Sequence, residues 1–202
     1  MKINTDLLTK IVGVFNSFVP ITEKEIAIIV KNAQVLKIPK KTKLLHVGEV
    51  CDKMYFIISG CLRLYFIKGD TERNCFFFHE NLFCTAFGSF MMQRPCNQVI
   101  ESIEDTLCLM VSFEDFEKIY ADLPKMNVIV RKILEERYAN AHDIISSFIL
   151  HTPEERYLRF IEKYPLLVNR IPEYHISSYI GITPKSFSRL KGRLRNKAKK
   201  SM

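Results

Sequence analysis

The side chains best suited to chemistry in this sequence are eight cations gathered at its C-terminal end. Residues 185–202 contain eight lysines and arginines and no acidic residue, whereas residues 1–184 contain 22 basic and 22 acidic side chains. The formal net charge of +8 therefore comes entirely from this last segment. A cationic segment of this kind indicates a polyanionic partner, either a nucleic acid or an anionic membrane surface. The alternative is a solvated basic tail without a partner.

Two short helices are predicted immediately before and within the cationic segment. Ile176, Tyr179 and Ile180 have helical spacing, and Gly181 can adopt the left-handed conformation that ends a helix. The dipeptide 183–184, Thr-Pro, then supplies an N-cap and a first helical residue for the second helix. Two short helices joined by a glycine-containing turn are typical of a helix-turn-helix.

The second of these helices, residues 183–195, has an apolar face formed by Phe187, Leu190 and Leu194 and a basic, polar surface elsewhere. In a helix-turn-helix the second helix enters the major groove of DNA, and its first turns meet base edges. We therefore expect base contacts from four side chains near its start: Lys185, Ser186, Ser188 and Arg189. We expect phosphate contacts from the N-cap and the remaining cations: Thr183, Lys191, Arg193, Arg195, Lys197, Lys199 and Lys200.

A β-rich region lies between Gln34 and Ser112. Short runs of β-branched and aromatic residues alternate there with turn signals such as Ser59-Gly60. Strands with this spacing predict a β-sandwich, jelly roll or barrel. The predicted strands are 35–38, 44–47, 54–58, 62–67, 75–78, 99–103 and 107–111. Before this region we predict helices, with a capping box formed by Thr22 and Glu25.

A long helix is predicted from Pro124 to Leu150, because no Gly or Pro interrupts the residues between them. Five of its side chains repeat at the 4-3-4-3 spacing of a coiled coil: Leu134, Tyr138, Ala141, Ile145 and Phe148. A helix of 25 residues spans about 37 Å, which is longer than a small β-roll needs. We therefore expect a second copy of the chain to pack on this stripe. The alternative is that the stripe packs on its own domain.

Several classes of protein are disfavoured by the residues that the sequence lacks. The six cysteines lie 9 to 14 residues apart, without the short pairs that zinc and iron–sulfur sites use, so we expect no metal and no cofactor. The sequence has no H-x-H, no Gly-rich phosphate loop and no G-x-S-x-G or H-E-x-x-H motif, so we do not expect an enzyme. The alternatives are a cupin-like enzyme or β-barrel small-molecule binder with a basic tail, or a module for RNA or membrane surfaces. Without a signal sequence or a transmembrane stretch, we expect a cytoplasmic protein and no membrane partner.

The order of these parts, with the motifs Glu-Arg-Tyr-Leu (155–158), Tyr-Ile-Gly-Ile-Thr-Pro (179–184) and Ser-Phe-Ser-Arg (186–189), resembles the Crp/Fnr transcription regulators. The resemblance covers residues 10–196 and is closest to the branch common in Bacteroidetes-type bacteria. It implies an α+β chain with a cyclic-nucleotide-binding-like double-stranded β-helix at 1–123, a long dimerisation helix at 124–150 and a helix-turn-helix DNA-binding domain at 151–202. It also implies a homodimer on a palindromic promoter site, with RNA polymerase as a further partner. Because few residues follow Arg195, we expect the family's β-wing to be truncated or absent.

The sequence departs from the cyclic-AMP-binding members of the family. Those members have a Gly-Glu pair that opens a short helix and an Arg-Ser or Arg-Thr pair on the next strand. Here Ala86 stands at the expected glutamate, and Asn97-Gln98 lies on the strand side. A buried phosphate without a cationic partner is strongly disfavoured, so we expect no cyclic AMP binding of the usual kind. The effector is unknown, with a hydrophobic or redox signal expected. Its candidate pocket comprises Phe83, Ala86, Phe87, Phe90, Asn97, Gln98 and His142.

Overall fold

The computed structural model describes the backbone of residues 5–200 and the side chains of residues 8–197. Its helices are α1 (Thr5–Phe18), α2 (Glu23–Lys31), α3 (Phe87–Met92), α4 (Phe113–Asp122), α5 (Met126–Leu150), α6 (Pro153–Lys163), α7 (Glu173–Tyr179) and α8 (Pro184–Lys200). Its strands are β1 (Gln34–Ile38), β2 (Lys43–Leu45), β3 (Lys53–Ser59), β4 (Leu62–Lys68), β5 (Thr71–Phe78), β6 (Phe83–Cys84), β7 (Gln98–Ser102) and β8 (Thr106–Ser112).

The strands form two four-stranded sheets, with the orders β1-β8-β3-β6 and β2-β7-β4-β5. In the first sheet β8 pairs antiparallel with both β1 and β3, which places Tyr55 opposite Met110 and Val35 opposite Leu109. Both faces of β3 are buried, since Met54 through Ile58 are all nearly inaccessible to solvent. The sequence of a strand that is buried on both faces is a continuous apolar run and does not alternate between apolar and polar residues. The predicted β-sandwich with accompanying helices is confirmed.

Helices α2 and α6 each begin after a threonine that caps the helix N-terminus. The Thr22 hydroxyl accepts the Glu25 N–H, and the Glu25 carboxylate accepts the Thr22 N–H at 2.8 Å, which completes the predicted capping box. Thr152 and Glu155 form a second capping box ahead of α6, with Pro153 in the first turn. These caps fix where α2 and α6 begin because they satisfy backbone donors that the helix itself leaves unpaired.

The chain divides into two compact units. The first, which we call the β-rich unit, comprises the chain up to Tyr65 together with Phe76–Tyr138. The second comprises Phe66–Cys75 together with the chain from Ala139 onward. The core of the second unit contains the fully buried rings of Phe160 and Phe187. The three-part domain division expected from the sequence stays a prediction.

Strands β2, β5 and β6 differ most from the pattern-based prediction, and β5 begins at Thr71 instead of residue 75. Strand β2 ends at Leu45 instead of Val47, because the Glu49 carboxylate accepts the His46 N–H at 2.8 Å and Gly48 has a φ of +88°. These features turn the backbone away from the sheet, and Val47 is half exposed. The short strand β6 had no counterpart among the predicted strands. In the described part of the chain, every helix is too short or too polar to cross a membrane.

Candidate functional site

The turn between α7 and α8 is held by backbone geometry and a side-chain cap. Gly181 has a φ of +80°, and the Ile182 N–H donates to the Ser177 carbonyl at 3.0 Å. The Thr183 hydroxyl accepts the Ser186 N–H at 3.2 Å, so α8 begins at Pro184 with Thr183 as its N-cap. A left-handed residue followed by an N-cap lets two helices meet at a sharp angle over only four intervening residues.

Helix α8 is oriented by its apolar face. Phe187 and Leu190 are 1% and 2% exposed, and the Phe187 ring lies edge-on to Tyr157 of α6 with centroids 4.9 Å apart. Because this face is anchored, the rest of the first two turns faces solvent. The exposed set contains all four predicted base-contacting side chains: Lys185, Ser186, Ser188 and Arg189.

The predicted phosphate-contacting cations fall into two groups. Lys191 pairs with Glu173, and both Lys197 and Arg193 approach the Glu154 carboxylate, at 2.7 Å and 4.0 Å. Arg195, like Lys185 and Arg189, makes no ion pair with any described side chain. The Thr183 hydroxyl is already used as the helix cap. The side chains of Lys199 and Lys200 lie outside the described residues.

The stripe on α5 is exposed in the single chain. Leu134, Tyr138, Ile145 and Phe148 are 38%, 75%, 61% and 48% exposed, and Ala141 is half-buried. Large apolar side chains in a row on a helix surface are unusual for a monomer and mark an interaction site. The next two residues after Phe148 are also apolar and more than two-thirds exposed.

Two residues of the predicted effector pocket line a cavity in the β-rich unit. Phe83 and Phe87 border a partly open apolar cavity of about 50 Å³ whose other walls come from β3, β8 and helices α1, α2, α4 and α5. The Phe83 ring also contacts Phe56, with centroids 5.0 Å apart. Its apolar lining offers almost no hydrogen-bond partners to water.

The other predicted pocket residues are placed elsewhere. Ala86 and Phe90 are fully buried, and the Phe90 ring packs edge-on against Phe116 of α4. Asn97 is exposed and Gln98 half-buried, and neither borders the cavity. His142 belongs to the other compact unit, where its Nδ1 lies 3.4 Å from the Ser146 hydroxyl.

The β-rich unit contains a buried ion pair that was not predicted from the sequence. Arg63, on β4, is the only buried lysine or arginine among the described residues. Its guanidinium donates to the Glu101 carboxylate at 2.6 Å and lies 3.9 Å from the centre of the Tyr65 ring. The Tyr65 hydroxyl donates to the same carboxylate at 3.1 Å. The sequence does contain a signal for this pair, because an arginine within an apolar strand needs a buried partner for its charge.

Four of the six cysteines are buried, namely Cys51, Cys61, Cys84 and Cys108, whereas Cys75 and Cys96 are half-buried. Cys84 and Cys108 are fully buried, and this burial raises the pKa of the Cys108 thiol to about 12 and that of Cys84 well above its ordinary value. Oxidation and metal binding proceed through the thiolate, which such burial disfavours. No group of three or more potential ligands capable of holding a metal ion occurs among the described residues.

Comparison with known proteins identifies relatives along most of the chain. Residues 35–122 match the family model of the cyclic nucleotide-binding domain. The anaerobic regulatory protein of Pasteurella multocida is 24% identical over 169 residues, which are 78% of this chain and 61% of that protein. Its counterpart from Aggregatibacter actinomycetemcomitans is 23% identical over 77% of this chain and 65% of its own length. The chain thus spans less than two thirds of either curated relative. Both relatives are regulatory proteins, in agreement with the expectation that this chain is not an enzyme.

Solved structures share the fold at low sequence identity. The c-di-GMP-responsive global regulator CLP of Xanthomonas campestris superimposes with a TM-score of 0.73 and 14% identity, over 88% of this chain and 93% of that one. FixK2 of Bradyrhizobium japonicum gives a TM-score of 0.72 and 18% identity, over 82% and 86% of the two chains. The similarity to CLP therefore extends over both compact units.

Proposed function

We propose that this chain, a member of the Crp/Fnr family of transcription regulators, binds promoter DNA in the cytoplasm as a homodimer through the helix at 183–195. The observation that carries this proposal is the solvent-facing start of α8, where Lys185 and Arg189 lie one turn apart and make no ion pair with described side chains. In a helix-turn-helix these turns meet base edges, and arginine is the residue best suited to read guanine.

The proposed phosphate contacts differ in how readily they form. Arg195 is available in the free chain, whereas Lys191, Arg193 and Lys197 must exchange a carboxylate for a phosphate. Such exposed ion pairs contribute only about 0–1 kcal/mol each, so a phosphate can replace the carboxylate. At the α8 N-terminus Pro184 has no N–H, and Thr183 accepts the N–H groups of Ser186 and Phe187, so a backbone contact to a phosphate here falls to the Lys185 N–H.

The test is selection of bound fragments from a random duplex pool at about 150 mM salt, where non-specific binding is weakened. We expect a two-fold-symmetric motif with half-sites about one helical turn apart. On the selected site, Arg189→Ala should weaken the free energy of DNA binding by about 1–3 kcal/mol and relax the base preference at one position of the motif. Failure to enrich any motif, with equal binding to RNA or to anionic vesicles, would contradict the proposal and favour another polyanion.

We also propose that the β-domain does not bind cyclic AMP in the family's usual way. Ala86 and Asn97-Gln98 occupy the expected cassette positions, and the buried guanidinium of Arg63 is already neutralised by Glu101. A cyclic phosphate would displace that carboxylate and leave it buried without a cationic partner, which is costly. Calorimetry with cyclic AMP should give no tight binding, and a tight complex would overturn the proposal. Because CLP is described as c-di-GMP-responsive, c-di-GMP is the second ligand to titrate.

A further inference from the structure

We infer that Arg156 is a positioning residue that fixes the turn before α8 to the end of α5, an inference that builds on the DNA-binding role proposed above. Arg156 lies in the first half of α6 and is half-buried. It belongs to neither the proposed DNA-contacting surface nor the proposed dimer stripe. Its function is therefore exerted through the elements that it holds together.

The guanidinium of Arg156 bonds to the ends of two other helices. Its Nε donates to the carbonyl of Ile180, the C-cap of α7, at 2.9 Å. Its Nη1 donates to the carbonyl of His151, the residue that follows α5, at 2.6 Å. Carbonyls at helix C-termini lack partners within the helix and carry partial negative charge. One planar cation thus satisfies an acceptor at the end of each helix.

A ring contact completes the junction. The guanidinium carbon of Arg156 lies 4.6 Å from the centre of the Phe148 ring, and Phe148 belongs to the exposed stripe of α5. The ring also lies against the turn, since a Cβ built on Gly181 would be 2.6 Å from Phe148 Cε1. A side chain at position 181 would therefore displace this ring, quite apart from the strain of a φ of +80°.

The arrangement links the α5 stripe to the DNA-reading helix by direct contact. Any partner that packs on Phe148 contacts a ring that touches both Arg156 and the turn at 181, and α8 begins three residues later. Lysine cannot replace arginine here, because a single ammonium group lacks the planar fork that reaches both carbonyls while stacking on a ring. The junction therefore depends on the shape of the side chain at 156 and not on its charge alone.

The experiment compares Arg156→Lys with Arg159→Lys in the full chain. Arg159 is on the same helix, is exposed and makes no hydrogen bond or ion pair with described residues. We expect Arg156→Lys to bind the selected operator about ten- to a hundredfold more weakly, the range for losing charge-assisted hydrogen bonds. Its affinity for a scrambled duplex, the salt dependence of that affinity and its dimer content should stay near the wild-type values, while its thermal midpoint should fall by a few degrees. Arg159→Lys should match wild type throughout.

A second variant keeps the inference testable if Arg156→Lys folds poorly. Phe148→Leu retains apolar bulk but removes the ring, and it should show the same selective loss of operator affinity. Operator binding at the wild-type level in both variants would overturn the inference. Parallel loss of operator and scrambled-duplex affinity would also overturn it, since that pattern indicates a phosphate contact or a general loss of structure.

Hydrogen exchange separates this inference from the proposed function. The Ile182 amide donates to Ser177 across the turn, and its exchange should accelerate in Arg156→Lys but not in Arg159→Lys. If wild-type protein selects no DNA sequence but this amide responds as expected, the DNA-binding proposal fails while the junction stands. If the amide exchanges at the wild-type rate in Arg156→Lys, the junction fails whatever the protein binds.

Discussion

The charges on α8 differ, residue by residue, in whether they face solvent or a carboxylate of the same chain. Glu154, in the first turn of α6, approaches both Lys197 at 2.7 Å and Arg193 at 4.0 Å. This carboxylate competes with DNA phosphates for two cations and also places a negative charge beside the proposed DNA-binding surface. We therefore expect Glu154 to limit the affinity of the chain for any duplex, independent of base sequence.

Replacing Glu154 by glutamine should strengthen DNA binding. We expect Glu154→Gln to raise the affinity for operator and scrambled duplexes by the same factor, about two- to fivefold at low salt, since an exposed ion pair is worth about 0–1 kcal/mol. Fluorescence anisotropy with both duplexes measures this. The control is Glu162→Gln on the same helix, because Glu162 makes no ion pair with described side chains. A gain confined to the operator, or no gain, would contradict this role of Glu154.

At the scale of the element, one carboxylate ties the start of α2 to the residue that precedes α5. Glu25 accepts the Thr22 N–H and the Lys125 ammonium, at 2.8 Å and 3.0 Å. The backbone N–H of Thr22, followed by Lys125 and the Thr22 hydroxyl, lowers the pKa of Glu25 to about 2. A carboxyl whose folded pKa lies below its unfolded value stabilises the fold above the unfolded value. That stabilisation is lost as the pH falls toward 2.

The pH dependence of stability should therefore change in Glu25→Gln. Glutamine can keep the capping box, so the variant removes the charge and preserves the cap. We expect urea unfolding of the wild type to lose stability between about pH 4.5 and pH 2, and the variant to lose less in this window. Glu23→Gln, in the same turn, is the control, since Glu23 makes no hydrogen bond or ion pair with described residues. Equal slopes in Glu25→Gln and wild type would refute the assignment.

Most elements could be predicted because their signals are local. The capping residues Thr22 and Thr183, with Gly181, act on neighbours within four residues, and the structure has all of them in the predicted places. The strands follow from runs of β-branched and aromatic residues between turns. Strand β2 ended early because the Glu49 side chain captured the His46 N–H, a competition that residue pattern alone does not reveal.

The contacts that could not be predicted join residues far apart in sequence. Arg63 meets Glu101 only because β4 and β7 lie in one sheet, and Lys191 meets Glu173 only because α7 folds back on α8. Sequence spacing identifies the charges but not their partners. The predicted effector pocket is divided for the same reason, since Phe83 and Phe87 share a cavity while Phe90 is used in core packing.

At the scale of the whole molecule, the proposed assembly follows from the exposed stripe on α5. Tyr138 and Ile145 are 75% and 61% exposed, although both are apolar enough to favour burial. Two half-sites of a palindrome require two recognition helices with a fixed separation, and a symmetric helix pair provides that constraint. The stripe residues Leu134, Tyr138, Ala141, Ile145 and Phe148 therefore account for both dimerisation and operator geometry in the proposal.

A charge in this stripe should dissociate the dimer. We expect Leu134→Asp and Ile145→Asp to sediment as monomers and to lose operator affinity, because a carboxylate would be buried in an apolar seam. Ala139→Asp is the matched control, since residue 139 is exposed and lies off the stripe on the same helix. The control should remain dimeric and bind the operator. If the stripe variants also stay dimeric, the interface lies elsewhere on the chain. If they become monomers that still bind the operator tightly, the proposed coupling between dimerisation and DNA recognition is wrong.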